Sequence, residues 1–461
     1  MLHRCVQGHG ERRNAGAARG SQRKPCRSAR RDSLKTAGDA HEEGHAVAAV
    51  LQCPALLAVL FSFLEPADLC TVALVCDAWS LAVRTPALWS RISLARAGLP
   101  ASFHDFLQHR QAGVRSLELV APEAAPGAAA PPALAAMVEA SLCVCLSTLC
   151  PGLEAVALAG CYATDTVVAA LLMRRPFAVR RLRLRQAGAS GVVHTQLLSN
   201  VRLAGLEELD LTVPATLRLP AHASRLTGLR RLALTGEQVE FDAGVALPAL
   251  EALALRARGA NRGVWSALPR FTGLRSFAFA APASMDTEAG EAALQAVRGC
   301  PLVSTLQLEV ADGSAMTINL NRLLGSYKVE VLKLSWRCPW ECWPAIPALR
   351  ELHLVGRGPS GQFDFTTLDL ESALACRGLE AIAIHSDNIF LRTRAGEAER
   401  YRGLFAGLRS LELRCKFLMV DPELLADIQA AQAASAGANA SAAGVIGLTG
   451  ATAPVFMQPP L

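Results

Sequence analysis

Cysteine and histidine are the first residues to examine for chemistry. Cys143-Val144-Cys145 and Cys338-Pro339-Trp340-Glu341-Cys342 each bring two thiols close together. A structural zinc needs a second Cys or His pair at matching spacing, and neither doublet has one, so both read as core or loop thiols. His353 and His385 have no serine or cysteine nucleophile motif beside them, and no Gly-rich phosphate loop occurs. The expectation is a chain without enzymatic activity, metal or cofactor. Recognition is the better prospect. The run Trp336-Arg337-Cys338-Pro339-Trp340-Glu341-Cys342-Trp343 holds three of the six tryptophans, and Trp and Arg dominate binding hot spots. Trp336, Arg337, Trp340 and Trp343, with His353 nearby, are therefore candidate substrate-binding residues. The competing reading has these rings filling a turn between repeats.

Those residues need a frame, and the frame is repetitive. The pattern apolar, any, any, apolar, any, apolar returns twelve times, from VRSLEL at Val114, through LEELDL at Leu206 and LEALAL at Leu250, to LRSLEL at Leu408. Subtracting successive start positions gives steps of 20 to 30 residues. The first step, of 39, is the exception, and there Ala121 to Pro132 reads as a loop insertion. In each unit the fourth and sixth residues point to one face of a short strand and the fifth to the other. One strand cannot bury that face alone, but a stack of them forms a parallel sheet over a continuous core. The pattern resembles the leucine-rich-repeat family, whose α/β fold is a right-handed solenoid, or horseshoe, with a concave recognition face. The Asn or Cys usual three residues after the third apolar position occurs clearly only at Cys161. Fifth-position residues are charged or polar toward the ends, as in Glu118, Arg183, Asp210, Lys333, His353 and Glu412, and mostly alanine between.

Before the repeats, Leu51 to Leu94 carries apolar residues at helical spacing. Leu56, Leu57, Leu60, Phe61 and Leu64 mark one helix, which Glu65-Pro66 interrupts. Asp68 can then cap a second helix bearing Leu69, Val72, Val75, Cys76 and Trp79, and Thr85 to Trp89 forms a third short segment. Three short helices bury too little to stand alone, so a partner or the adjoining solenoid must cover the rest. The order Pro54, Leu56-Leu57, Leu60-Phe61-Ser62-Phe63-Leu64, Pro66, Asp68-Leu69, Val75-Cys76, Trp79, Pro86, Leu88-Trp89 resembles an F-box. It departs from that family in lacking the acidic pair after the first proline. The resemblance implies docking on the Skp-type adaptor of an SCF (Skp-cullin-F-box) ubiquitin ligase, and through it a cullin. It also implies that Pro54, Leu56, Leu57, Leu60, Phe61, Leu64, Leu69, Val72, Val75, Trp79, Leu88 and Trp89 supply the contact. The repeats would then hold an unknown protein substrate. The alternative is a leucine-rich-repeat scaffold or ligand-sensing protein that uses Leu51 to Leu94 as a cap and has no ligase role.

Composition bounds these readings. The net charge of +6 is concentrated in residues 1–46, which hold ten Lys or Arg against five acids, so the remainder is nearly neutral. That excludes a phosphate-backbone footprint and hence nucleic acid as a partner of the body. No apolar run suits a membrane, and no signal-like leader precedes the 14 cysteines, which are expected to be reduced thiols in a cytoplasmic and/or nuclear protein. The expected organisation is a disordered basic arm (1–46), an F-box-like helical domain (47–95), a leucine-rich-repeat domain (96–420) and a low-complexity Ala-rich tail (421–461).

Overall fold

The computed structural model describes residues 53–64, 66–95, 113–120, 139–140, 142–144, 146, 150–160, 162–173, 178–186, 198, 201–257, 263–281, 287–310, 328–336, 346–356, 365–392, 398–415, 417–420, 424–426 and 448–449. Two compact units divide the chain between Val83 and Arg84. The first contains α1 (Pro54–Phe61), α2 (Pro66–Val72) and α3 (Asp77–Val83). Proline stands at the start of α1, where its missing N–H costs nothing, and again at the start of α2. Asp68 therefore lies within the first turn of α2 rather than capping it. The apolar stretch expected as one second helix is two helices. After Val72 the chain tightens, with the Leu74 amide bonding the Thr71 carbonyl and the Val75 amide that of Val72, and Asp77 opens α3. The third expected segment is a 3-10 turn, Pro86–Trp89, which falls in the second unit.

The second unit is built on strands. In chain order these are β1 (Arg91–Ala95), β2 (Ser116–Val120), β3 (Ala155–Gly160), β4 (Arg181–Gln186), β5 (Glu208–Thr212), β6 (Thr216–Leu219), β7 (Arg231–Gly236), β8 (Gln238–Phe241) and β9 (Ala252–Ala257). They continue as β10 (Ser276–Ala281), β11 (Thr305–Val310), β12 (Val331–Trp336), β13 (Glu351–Gly356), β14 (Phe365–Asp369), β15 (Ala381–His385), β16 (Asn388–Arg392), β17 (Ser410–Arg414), β18 (Phe417–Met419) and β19 (Leu448–Thr449). Fourteen form one parallel sheet in the order β1-β2-β3-β4-β5-β7-β9-β10-β11-β12-β13-β15-β17-β19. Each of the twelve sequence repeats supplies one strand, β2 to β17, and the registers align equivalent positions, as in Leu232 with Leu253 and Ala233 with Ala254. This is an α/β leucine-rich-repeat solenoid. Within the low-complexity tail, β19 pairs with β17 and extends the sheet by one short strand.

The core follows the sequence pattern closely. At the first, fourth and sixth positions of the repeats every residue is buried except Leu408, which is partly buried, and nearly all join one cluster running from Ile92 to Leu424. The elements that return behind the sheet vary with repeat length. The long units use helices, such as α4 (Asp165–Met173) and α5 (Thr287–Arg298), whereas the short units after β5 and β7 use 3-10 or simple turns with extended segments. A helix rises about 1.5 Å per residue and a strand about 3.3 Å, so the extended route spans the same back with fewer residues. The extended segments after β5 and β7 form a two-stranded sheet, β6-β8, and the longer units after β13 and β15 combine a helix with an extended segment that joins a three-stranded sheet, β14-β16-β18. Both small sheets pair backbone groups of the connecting segments.

Small residues are required where successive turns meet. At Gly228 an added Cβ would lie 2.8 Å from the Ala204 carbonyl oxygen, whereas at Gly205, the equivalent position one repeat earlier, it would meet nothing within 4 Å. Gly228→Ala should therefore lower stability by about 1–3 kcal/mol while Gly205→Ala stays within about 0.5 kcal/mol of wild type. Urea denaturation of the two variants side by side checks this, and equal midpoints would refute the clash.

Candidate recognition sites

In the first unit α1 is apolar on every side, and its packing on α3 selects which side is hidden. Leu57 and Phe61, one helical turn apart, are buried, and the Phe61 ring meets Trp79 of α3 edge-on at 5.3 Å between centroids. Leu69 is buried with them. Leu64, Val72 and Trp79 are half-buried, while Pro54, Leu56, Leu60 and Val75 are exposed. Leu88 is half-buried and Trp89 fully buried in the second unit. Leu57, Phe61, Leu69 and Trp89 are thus part of the cores of the folded chain, and the exposed members of the expected set are Pro54, Leu56, Leu60 and Val75. The sequence could not separate the two sides because the helix carries no polar stripe to orient it.

The exposed side is larger than expected. Val59 (61% exposed), Phe63 (84%), Leu74 (72%) and Leu81 (57%) join Leu56, Leu60 and Val75, so seven of the ten exposed large hydrophobics among the described residues fall between positions 56 and 81. Isolated exposed apolar residues are ordinary on a protein surface, but a cluster this dense marks an interaction site. Cys70 and Cys76 are exposed in the same short segment.

In the second unit, the third, fifth and seventh residues of each repeat line the open face of the main sheet. One depression of about 480 Å³ crosses it from β2 to β10, floored by Ala155, Ala157, Ala233, Ala252, Ala254 and Ala278. A neighbouring depression of about 430 Å³ reaches Gln307 and Glu309. Charges on this face are mostly paired among themselves. Arg183 meets Asp210 at 3.0 Å, Arg231 meets Glu208 at 3.1 Å, and Arg256 reaches Glu309 at 3.1 Å across β10. Strand β4 presents three arginines, Arg181, Arg183 and Arg185, all exposed. Fifth positions alone pick out Arg183, whereas the run VRRLRLR carries all three.

Of the expected substrate residues, His353 lies on this face, half-buried, with its Nε2 3.5 Å from Glu351. Trp336 ends β12 in register with Gly356. Arg337, Trp340 and Trp343 lie outside the described residues. Near the last repeat, His385 Nε2 sits 3.5 Å from Glu412 but is buried without a hydrogen-bond partner, so that proximity is not a hydrogen bond. Among the described residues no cluster of three or more His, Cys, Asp or Glu could hold a metal, and no helix is long and apolar enough to cross a membrane.

Comparison with known proteins adds a family to the first site. Residues 54–95 match the F-box-like family. No curated protein matches the chain. Among solved structures, a leucine-rich-repeat protein from Leptospira interrogans is similar at 14% identity, covering 76% of this chain and 90% of its own, with a TM-score of 0.31. An internalin from Listeria monocytogenes is similar at 12% identity, with coverages of 78% and 91% and a TM-score of 0.37.

Thiol chemistry provides a check on which surfaces are open. Burial pushes the Cys300 thiol up to about 11, and it raises the Cys376 and Cys415 thiols as well. Thiolate is the reactive form, so these three should resist iodoacetamide at neutral pH while Cys70 and Cys76 react readily. Mass spectrometry of the alkylated full chain reads this site by site. Modification of Cys300 at the rate of Cys76 would contradict the burial.

Proposed function

We propose that this chain is the substrate-recognition adaptor of an SCF-type ubiquitin ligase. The F-box-like unit docks on the Skp-type adaptor, which links it to a cullin, and the solenoid holds a protein target. The observation that carries the reading is the exposed apolar face of residues 56–81 within a segment that matches the F-box-like family. A helix that is apolar all round needs cover on every side. In α1, Leu57 and Phe61 are covered, while Leu56, Val59 and Leu60 are not. Burial of each such side chain against a groove contributes roughly 1.5–3 kcal/mol, which favours a helix-in-groove complex.

The chain itself then carries out no bond chemistry. Catalysis is by proximity, with the target held beside a ubiquitin-charged enzyme recruited elsewhere in the complex. On this reading its work lies in the cytoplasm and/or nucleus, where thiols stay reduced.

Capture of a recombinant Skp-type adaptor by the full-length chain tests the proposal. Wild type should capture it, and Leu60→Asp/Phe63→Asp should lose at least about tenfold in affinity with an unchanged circular dichroism spectrum, because both side chains are exposed. Leu57→Asp, which buries a charge, should instead unfold the helical unit. Failure of folded wild type to capture the adaptor would overturn the ligase reading.

A further inference from the structure

The charges on the open face of the solenoid are unevenly satisfied. On β4, Arg181, Arg183 and Arg185 project to the same side, two residues apart, and all are exposed. The two acids on the adjacent strand are engaged elsewhere or with one arginine only, since Asp210 holds Arg183 and Glu208 turns to Arg231. On the opposite flank β3 presents Ala155, Ala157 and Ala159, which offer neither acid nor bulk. Among the described residues, the guanidinium groups of Arg181 and Arg185 have no ion-pair or hydrogen-bond partner. The lane over the β3 alanines beside them opens into the depression of about 480 Å³.

We propose that this column binds an extended acidic segment of the target protein, with two carboxylates four residues apart meeting Arg181 and Arg185. The inference rests on the reading of the solenoid as the target-holding part. Two positions four residues apart on a strand are about 13 Å from each other, the separation of acids at i and i+4 in an extended peptide. Arg183 with its partner Asp210 stands between the two guanidinium groups, so two separate carboxylates suit the column better than one phosphate. The small side chains of β3 leave room for the peptide backbone, and Arg183, held by Asp210, keeps the middle of the column from collecting a third acid.

The test is fluorescence anisotropy on the full-length chain at low ionic strength. The probe is a labelled Gly/Ser peptide carrying two glutamates four residues apart, compared with its Gln/Gln and single-glutamate versions. The two-glutamate peptide should bind best, and Arg181→Ala/Arg185→Ala should weaken it about tenfold, as the loss of two arginine–carboxylate pairs implies. Arg409→Ala removes the same kind of charge at a distant rim and should leave the affinity unchanged. Equal binding of the Gln/Gln peptide, or undiminished binding by the double variant, would overturn the proposal. So would a single-phosphoserine peptide that outbinds the two-glutamate peptide by more than about tenfold, because the site would then be a phosphate site. Adaptor capture by Arg181→Ala/Arg185→Ala is read in parallel. Capture lost by wild type with peptide binding intact defeats the ligase reading alone, whereas capture intact with peptide binding absent defeats this one alone.

Discussion

The solenoid depends on one recurrent hydrogen-bonded junction. In each repeat the carbonyl oxygen of the second residue accepts the amides of the second and third residues of the next. Arg230 O accepts from Glu251 N at 2.8 Å and Ala252 N at 2.9 Å, and the same pair of hydrogen bonds recurs from Ser90, which receives Arg115 and Ser116, to Glu380, which receives Arg409 and Ser410. Because the junction fixes both position and direction at the start of every strand, register cannot slip by one residue. A slip would carry the leucines to the open face and the charges into the core. The side chains at this second position run Arg115, Glu154, Arg180, Glu207, Arg230, Glu251, Arg275, so unlike charges stand beside each other along the rim. Their pairs, such as Arg180 with Glu207 at 3.2 Å, are exposed and each contributes little. What the alternation prevents is a column of like charges that would push the strands apart.

Given that junction, the rest of the second unit follows from side-chain period. Leucine, isoleucine, valine and phenylalanine at the fourth and sixth positions must face inward together, and the first residue closes the core from the turn. The open face is then a grid whose columns are the third, fifth and seventh residues. Whether a charge on that grid is spent inside the fold or left available is decided by its neighbours two columns or one strand away.

Much of this was readable in the sequence. The twelve-fold pattern specified the strands, the core leucines and the parallel stack, because a period of two with an apolar anchor has few alternative solutions. The helical unit was less readable. PALLAVLF has no polar face, so spacing alone could not distinguish Leu57 and Phe61, which pack on α3, from Leu56 and Leu60, which do not. The division of the second helix at Val72 depends on turn hydrogen bonds that the apolar pattern does not encode, and the F-box-like segment, residues 54–95, runs past the boundary between the two units at Val83 and Arg84. The pairing state of the arginines was out of reach for another reason. It depends on which of two acids each guanidinium meets across strands, and that is a property of three repeats at once.

The pair formed by Arg256 and Glu309 shows how small residues shape the charged surface as well as the floor. The two sit on β9 and β11, separated by β10, a gap of about 9.6 Å between strands that the long arginine must cross. Only a residue as small as Ala280 in the intervening strand lets the guanidinium lie across it. Arg256 is thereby tied down on the far side of the alanine floor, as Arg231 is by Glu208. On β4 the same alanine-rich surroundings work in the opposite sense. The flank at β3 is small, but the row of Arg181 continues through Ala155 to Ser116 and that of Arg185 through Ala159 to Val120, so the one acid of β2, Glu118, lies in the row of Arg183 and accepts from Ser93. Alanine therefore shortens the route to an acid on one side of the sheet and lengthens it on the other, and the result is a face that is nearly neutral in sum and locally basic at one strand.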